Sequence, residues 1–301
     1  MKAGTMGRIE GRIVKSLSGY YYVQPDIGEL ITCRARGKFR LDGTSPLVGD
    51  LVAVELSDDG TGSVREILPR RNWFVRPAVA NIDCMVMVAA AVNPVTDPFL
   101  IDRVSALAVH HDCDFLVCIN KADLNEGDAL FSIYHGAGIP VVRTSAETGE
   151  GMETLREHIK NRVCAFTGNS GVGKTSILNA LDPGLLRKTG EVSHHLGRGR
   201  HTTRHVELFA LPFGGYIADT PGFGSFDVEQ MESVRPGDLQ YCVPEFAPYI
   251  GKCRFADCTH RKEPDCAIRT ALAAGALQPS RHASYVKLWE QADKIKEWER
   301  K

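Results

Sequence analysis

Thr167-Gly168-Asn169-Ser170-Gly171-Val172-Gly173-Lys174-Thr175-Ser176-Ile177-Leu178-Asn179 is the stretch whose reading decides the fold. Across 168–175, two glycines, a lysine and a hydroxyl residue fall at the spacing of a phosphate-binding loop. The residues before it, Arg162-Val163-Cys164-Ala165-Phe166, read as a short apolar strand, and 177–181 continue as a helix. Strand, glycine turn and helix are the context such a loop requires. The glycines let successive backbone N–H groups close on a phosphate, and the helix N-terminus adds its partial positive charge. Lys174 is placed to reach outer phosphates, and Thr175 to offer its hydroxyl to Mg²⁺. A glycine loop with no ligand would leave the agreement of both flanks unaccounted for.

Composition sets the bounds around this loop. A length of 301 residues suggests about two domains with room for a sizeable core. The hydrophobic fraction of 43% and charged fraction of 24% are those of an ordinary globular chain. With a net charge of −1, a nucleic-acid partner would have to be met by a local patch rather than by global basicity. No apolar run is long enough to span a bilayer, so no membrane partner is expected, and MKAGTMGRIEGR lacks the apolar core of a signal peptide. Of nine cysteines, Cys84, Cys113, Cys118 and Cys164 lie singly in or beside apolar runs. They read as buried thiols in a reducing, cytoplasmic compartment.

The chain divides into three expected domains. Residues 1–69 look all-β, with short β-branched or aromatic runs at 8–14, 19–24, 30–33 and 50–56 between glycine and Asp-Gly turns. That spacing suggests a small barrel of the oligonucleotide-binding type. Arg34-Ala35-Arg36-Gly37-Lys38-Phe39-Arg40 sets four cations around an aromatic ring, a composition suited to RNA through phosphate neutralisation and stacking; a solvated hairpin is the plainer alternative. Residues 68–77 read as a proline-bounded linker. Over 70–227 strands and helices alternate: strand near 84–92, helix 99–110, strand 115–119, helix 128–136, strand 140–143, helix 152–159, the loop, and strand 216–218. This is the pattern of a doubly wound α/β layer. Residues 228–301 turn cysteine-rich and then helical, with Tyr285, Leu288, Trp289, Ala292 and Ile295 at helical spacing.

Asn120-Lys121-Ala122-Asp123 follows directly on the strand Phe115-Leu116-Val117-Cys118-Ile119. There the Asp123 carboxylate can accept from both the ring N1–H and the exocyclic amine of guanine. Adenine offers neither, and the carboxylate would be left unpaired against it. Asn120 can touch the other base edge, the Lys121 stem can lie over the ring, and Thr144-Ser145-Ala146, after the next strand, fits the loop whose backbone N–H meets the guanine carbonyl, with Ser145 and Ala146 as its binding residues. Asp219-Thr220-Pro221-Gly222 fits a turn in which Asp219 holds Mg²⁺ through water and the Gly222 N–H senses the outermost phosphate. Between them, Gly197-Arg198-Gly199-Arg200-His201-Thr202-Thr203-Arg204 suits a segment ordered by nucleotide, with Thr202 or, preferred here, Thr203 closing on Mg²⁺.

The base-reading segments precede the phosphate loop, whereas in ordinary small GTPases they follow it. A circular permutation of one sheet accounts for this order. Downstream, Cys253-x4-Cys258-x-His260-x5-Cys266 supplies three thiolates and an imidazole, the donor set of a closed structural Zn²⁺ site. Chance cysteines or a redox pair are the alternatives. Cys242 lies outside the cluster.

The permuted order, the segment GRGRHTTR, the segment DTPGFGSF and the trailing Cys/His cluster together resemble the RsgA (YjeQ) family of small-ribosomal-subunit biogenesis GTPases, over nearly the whole chain. The resemblance implies an N-terminal oligonucleotide-binding barrel, a circularly permuted P-loop GTPase domain and a C-terminal zinc-binding helical domain. It also implies GTP hydrolysis to GDP and phosphate with Mg²⁺, stimulated by the small ribosomal subunit during late maturation of its 16S rRNA, and a monomeric protein. Where many GTPases place a water-orienting glutamine, this chain has Phe223, and His201 is the best substitute; a cap or an rRNA contact is the alternative role for it. Three other readings compete: a large-subunit assembly factor, an RNA-binding module with a merely structural nucleotide, and an ATPase whose Asp123 faces away from the base.

Overall fold

The computed structural model describes residues 8–35, 39, 44–75, 77–184, 206–219 and 234–295. These fall into two compact units, one drawn from within Met1–Asp83, Lys160–Ala165 and Arg187–Phe223, the other from within Cys84–Ile159, Phe166–Leu186 and Gly224–Lys301.

The first unit is built on β1 (Arg8–Leu17), β2 (Tyr20–Pro25), β3 (Ile31–Ala35), β4 (Leu51–Leu56) and β5 (Gly62–Ile67). Strand β1 pairs antiparallel with both β2 and β4, β3 runs parallel to β5, and β5 pairs with β4, so the sheet closes on itself. Closure leaves none of the five with an open edge. Ile13, Val23, Val52, Val54 and Val64 fill its interior from alternate positions along their strands. The sequence pattern missed β5 because Arg65 and Glu66 break up its apolar signal; Arg65 pairs with Glu55 across the neighbouring strand.

The stretch expected as a linker instead contains half of a small ribbon, β6 (Trp73–Phe74) against β7 (Val79–Ala80). It is also tied back to the barrel. The fully buried Asp50 carboxylate takes a two-pronged contact from Arg70 at 2.7 and 2.8 Å. In the same unit, β12 (Glu207–Ala210) lies antiparallel to β13 (Tyr216–Asp219) and meets β1 at Lys15 and Glu207, whose side chains pair at 2.8 Å. Residues 163–165 of β11 (Val163–Thr167) run parallel to β13.

The second unit holds a parallel ladder of β8 (Cys84–Ala90), β9 (Asp114–Asn120) and β10 (Val141–Arg143). All seven residues of β8 are buried, as expected of a strand covered on both faces. Helices α1 (Pro98–His110), α2 (Asp128–Gly136), α3 (Met152–Ile159) and α4 (Lys174–Leu181) alternate with the strands. Helix α1 starts where Asp97 accepts from the Phe99 N–H at 2.9 Å and Pro98 takes the first turn.

Two 3₁₀ turns, Leu239–Cys242 and Pro244–Phe246, and helices α5 (Ala267–Ala273) and α6 (Pro279–Asp293) complete the unit. Tyr285, Leu288 and Ala292 bury the stripe read from the sequence. Arg281 of α6 joins Asp102 of α1 at 2.8 Å and Glu245 of the second turn at 2.7 and 2.9 Å, with all three side chains nearly inaccessible. Tyr134 of α2 also donates to Asp102. Burial opposes the charge on Arg281, but the two carboxylates outweigh it and hold the guanidinium firmly protonated. A helix of the α/β layer and the last of the described helices thus share one buried ionic joint.

A glycine-built pocket and a cysteine-built knuckle

Thr167, buried, ends β11, and the loop turns at Gly168 with φ +140°. A Cβ at Gly168 would stand 2.2 Å from the Val88 carbonyl oxygen, and one at Gly173, with φ +96°, the same distance from the Asn120 amide nitrogen. Both glycines are therefore required by close approach as well as by backbone hand. Gly173 is the N-cap of α4, so Lys174, Thr175 and Ser176 form that helix's first turn. Lys121 joins Ser170, Gly171, Gly173, Lys174, Thr175 and Ser176 around one cleft of about 670 Å³. The Lys174 ammonium donates to the Gly168 and Asn169 carbonyls at 2.6 and 2.7 Å, and partial burial lowers its pKa. Val172 is fully buried under the turn.

Asn120, 2% exposed, ties the segments at 120–123 and 144–146 to the loop. Its amide nitrogen donates to the Val172 carbonyl at 2.9 Å, while its carbonyl oxygen accepts from the Thr144 hydroxyl and the Ala146 N–H at 3.3 and 3.2 Å. The Ser145 N–H is committed to the Glu150 carbonyl. Lys121, with φ +65°, donates from its ammonium to the Asn93 carbonyl. Ala122 donates its N–H to the Thr144 carbonyl, and Asp123 is exposed two residues beyond Lys121. Thr144 stands in the loop that the sequence marks for its backbone; its buried hydroxyl, bonded to Asn120, carries no pattern of its own. Asp219 ends β13, with its backbone opposite Glu207. His201, Thr202, Thr203 and Gly222 lie outside the described residues, as do Arg36, Lys38 and Arg40 of the basic stretch. Arg34 of that stretch stacks 4.6 Å above the Tyr20 ring.

Cys253, Cys258, His260 and Cys266 converge, with all four ligand atoms within 4.8 Å of one another. Cys253 Sγ lies 3.9 Å from Cys266 Sγ, and His260 Nδ1 lies 3.4 and 3.5 Å from those two sulfurs. Zinc bond lengths around a tetrahedron imply about 3.8 Å between sulfurs and about 3.5 Å from sulfur to nitrogen. The donor set and its spacing therefore fit zinc. Cys242, buried, stands apart from the four.

The knuckle is held in shape by its own polar groups. Glu263 accepts from the Thr259, Arg261 and Lys262 N–H groups. Burial would raise its pKa, but these bonds and the Thr259 hydroxyl hold the carboxyl at about 2. Helix α6 closes over the knuckle, with Tyr285 donating to the Thr259 carbonyl, His282 reaching the His260 carbonyl and Trp289 lying under Arg261. No helix among the described residues is long and apolar enough to cross a membrane.

Comparison with known proteins agrees with this layout. The RsgA N-terminal domain family matches residues 10–64, and the RsgA GTPase family matches residues 67–229. The chain is 43% identical over 299 residues to the small ribosomal subunit biogenesis GTPase RsgA of Caldanaerobacter subterraneus subsp. tengcongensis, covering 98% of this chain and 99% of that one. It is equally 43% identical over 283 residues to the protein of the same description from Geobacillus thermodenitrificans, covering 92% and 95%. Among solved structures, YjeQ from Thermotoga maritima is similar at a TM-score of 0.84 and 35% identity, covering 96% of this chain and 100% of that one. YloQ, described as a circularly permuted GTPase, is similar at 0.79 and 33%, covering 98% and 99%.

Proposed function

This chain belongs to the RsgA family of circularly permuted GTPases that act in small-ribosomal-subunit biogenesis, and from that premise we propose how its residues divide the work. It hydrolyses GTP to GDP and phosphate. The observation that carries the assignment of residues is the shared cleft, in which Lys121 of the base-reading segment and the loop residues around Lys174 face one space.

In this reading the N–H groups of residues 168–175 cradle the phosphates, and Lys174 leaves its two loop carbonyls to meet the outer oxygens. Thr175, Asp219 and Thr203 hold Mg²⁺, which supplies charge neutralisation on the phosphates. Asp123 selects guanine. Asn120 acts on the base from a side chain already fixed between the loop and Thr144, so its main contribution is to hold the two halves of the site in register. His201 orients the attacking water. Zinc, held by Cys253, Cys258, His260 and Cys266, is structural, because four protein donors leave no position for water. The small subunit and its 16S rRNA are the partners, with the barrel as one contact, and the protein works as a monomer in the cytoplasm.

Guanine selection gives the direct test. An Asp123→Asn variant presents one donor and one acceptor where the carboxylate presents two acceptors. It should lose GTP and gain xanthosine triphosphate, whose C2 carbonyl matches the new donor. Turnover is measured with isolated small and large subunits. Unchanged GTP preference in the variant, or equal stimulation by both subunits, would overturn the reading.

A further inference from the structure

We infer that Gln240 sets the metal-binding tautomer of His260 and so determines how tightly the knuckle holds its ion; this rests on the zinc reading above. The reasoning starts from an atom that can only accept. The Gly237 carbonyl receives a hydrogen bond from the Gln240 side chain at 3.0 Å, so that end of the amide is its NH₂ group. The other end is then the carbonyl oxygen, and it meets His260 Nε2 at 2.9 Å. An amide oxygen cannot donate, so Nε2 carries the proton. In the neutral ring this leaves Nδ1 bare, and Nδ1 is the atom facing the Cys253 and Cys266 sulfurs.

The amide is well placed to enforce this choice. His260 is 2% exposed, so water has little access to replace the contact. Its backbone has φ +59°, and its carbonyl is engaged by His282. Gln240 sits on the 3₁₀ turn Leu239–Cys242, whose Leu239 and Cys242 are buried and which packs on α1. The outer partner of the metal-binding imidazole is therefore seated on a helix of the α/β layer rather than on the knuckle. Outer partners of ligating histidines typically change metal affinity by about 10–100-fold.

The test is a zinc titration of the full chain against a chromophoric chelator, with urea unfolding run beside it. Gln240→Met, close in size but unable to accept, should weaken zinc by about 10–100-fold. Gln240→Glu keeps the acceptor and should stay near the unmutated protein, with its Co²⁺ form retaining the charge-transfer bands of three thiolates. Equal affinity in Gln240→Met overturns the proposal. So does a loss in Gln240→Glu as large as in Gln240→Met, because the turn rather than the acceptor would then be responsible. Should Gln240→Met unfold, Gln240→Glu against Gln240→Ala decides between the same two outcomes. Failure of the unmutated chain to bind one zinc would instead sink the zinc reading itself.

Discussion

The phosphate loop and the cysteine knuckle are both short turns folded back on themselves, one built from main chain and the other from side chains. In the loop, Gly168 and Gly173 bring the backbone within van der Waals reach of Val88 and Asn120, where no side chain fits. That leaves a cleft of about 670 Å³ between the loop and Lys121. In the knuckle, four side chains point at one another and the space between them closes to the size of an ion. A ligand that must enter and leave is met by backbone, because backbone donors need no rotamer change to receive it. An ion that must stay is met by thiolates and an imidazole that exclude water. The two sites nevertheless rest on one frame, since α1 packs on β8 and β9, whose Val88 and Asn120 meet the loop, and also carries the ionic joint to α6 and the turn that bears Gln240.

Breaking that shared frame should give the largest effect. Arg281→Met leaves the Asp102 and Glu245 carboxylates buried without their cation, and removing one partner of such a group costs about 3–5 kcal/mol. Urea unfolding of the zinc-loaded chain should show a loss of that size, with GTP and zinc binding weakened together. A loss below about 1 kcal/mol would mean that the two regions are held by their apolar contacts alone.

Striking only the main-chain site comes next. Lys174→Ala should lower GTP turnover by about 10²–10³-fold, the scale of deleting one preorganised charge donor at a reacting oxygen. Zinc content should not change, and stability should move by no more than about 0.5 kcal/mol. Retained turnover would remove Lys174 from the reaction. The converse experiment strips zinc with a chelator. At free zinc about 100-fold above its dissociation constant, the ion contributes about 2.7 kcal/mol, and that stability should vanish. Hydrogen exchange should then rise first over 253–266, while GTP affinity falls less than stability does. Loss of nucleotide binding in step with the metal would erase the distinction between the two sites.

How much was legible follows the same division. The glycine turn at 168–175 and the Cys/His cluster were readable because their geometry is local: a few residues at fixed intervals contain the whole reason for themselves. The helices at 128–136 and 152–159 were read to the residue, since each is amphipathic and bounded by turns. What went unread depends on distant partners. Strand β5 is one-third charged and becomes a strand only through β3 and β4. The 68–77 stretch looked like a linker because its two prolines hide Asn72, whose amide is fixed on Ile82. Arg281, Asp102 and Glu245 are separated by up to 179 positions, and Gln240 lies twenty before the histidine it meets. No spacing rule connects such residues; only the folded layer does.

The smallest effect concerns α1 itself. His111 closes this helix, donating its N–H to the Leu107 carbonyl. Burial, helped by the neighbouring His110, lowers its pKa to about 4 from an ordinary value of 6.5. Between those two pH values the unfolded chain takes up a proton that the folded chain refuses, so stability is full above pH 6.5 and declines as pH falls toward 4. The slope from this group should stay below the ~1.4 kcal/mol per pH unit of a whole proton, because solvent reaches part of the ring. Urea unfolding from pH 7.5 to 5 should therefore show a steeper decline in the unmutated chain than in His111→Gln. Taking the difference between the two cancels protonation of the knuckle thiolates, which both share. Parallel slopes would show that this end of α1 opens to water before it titrates, and the frame under the two sites would then be looser there than its packing suggests.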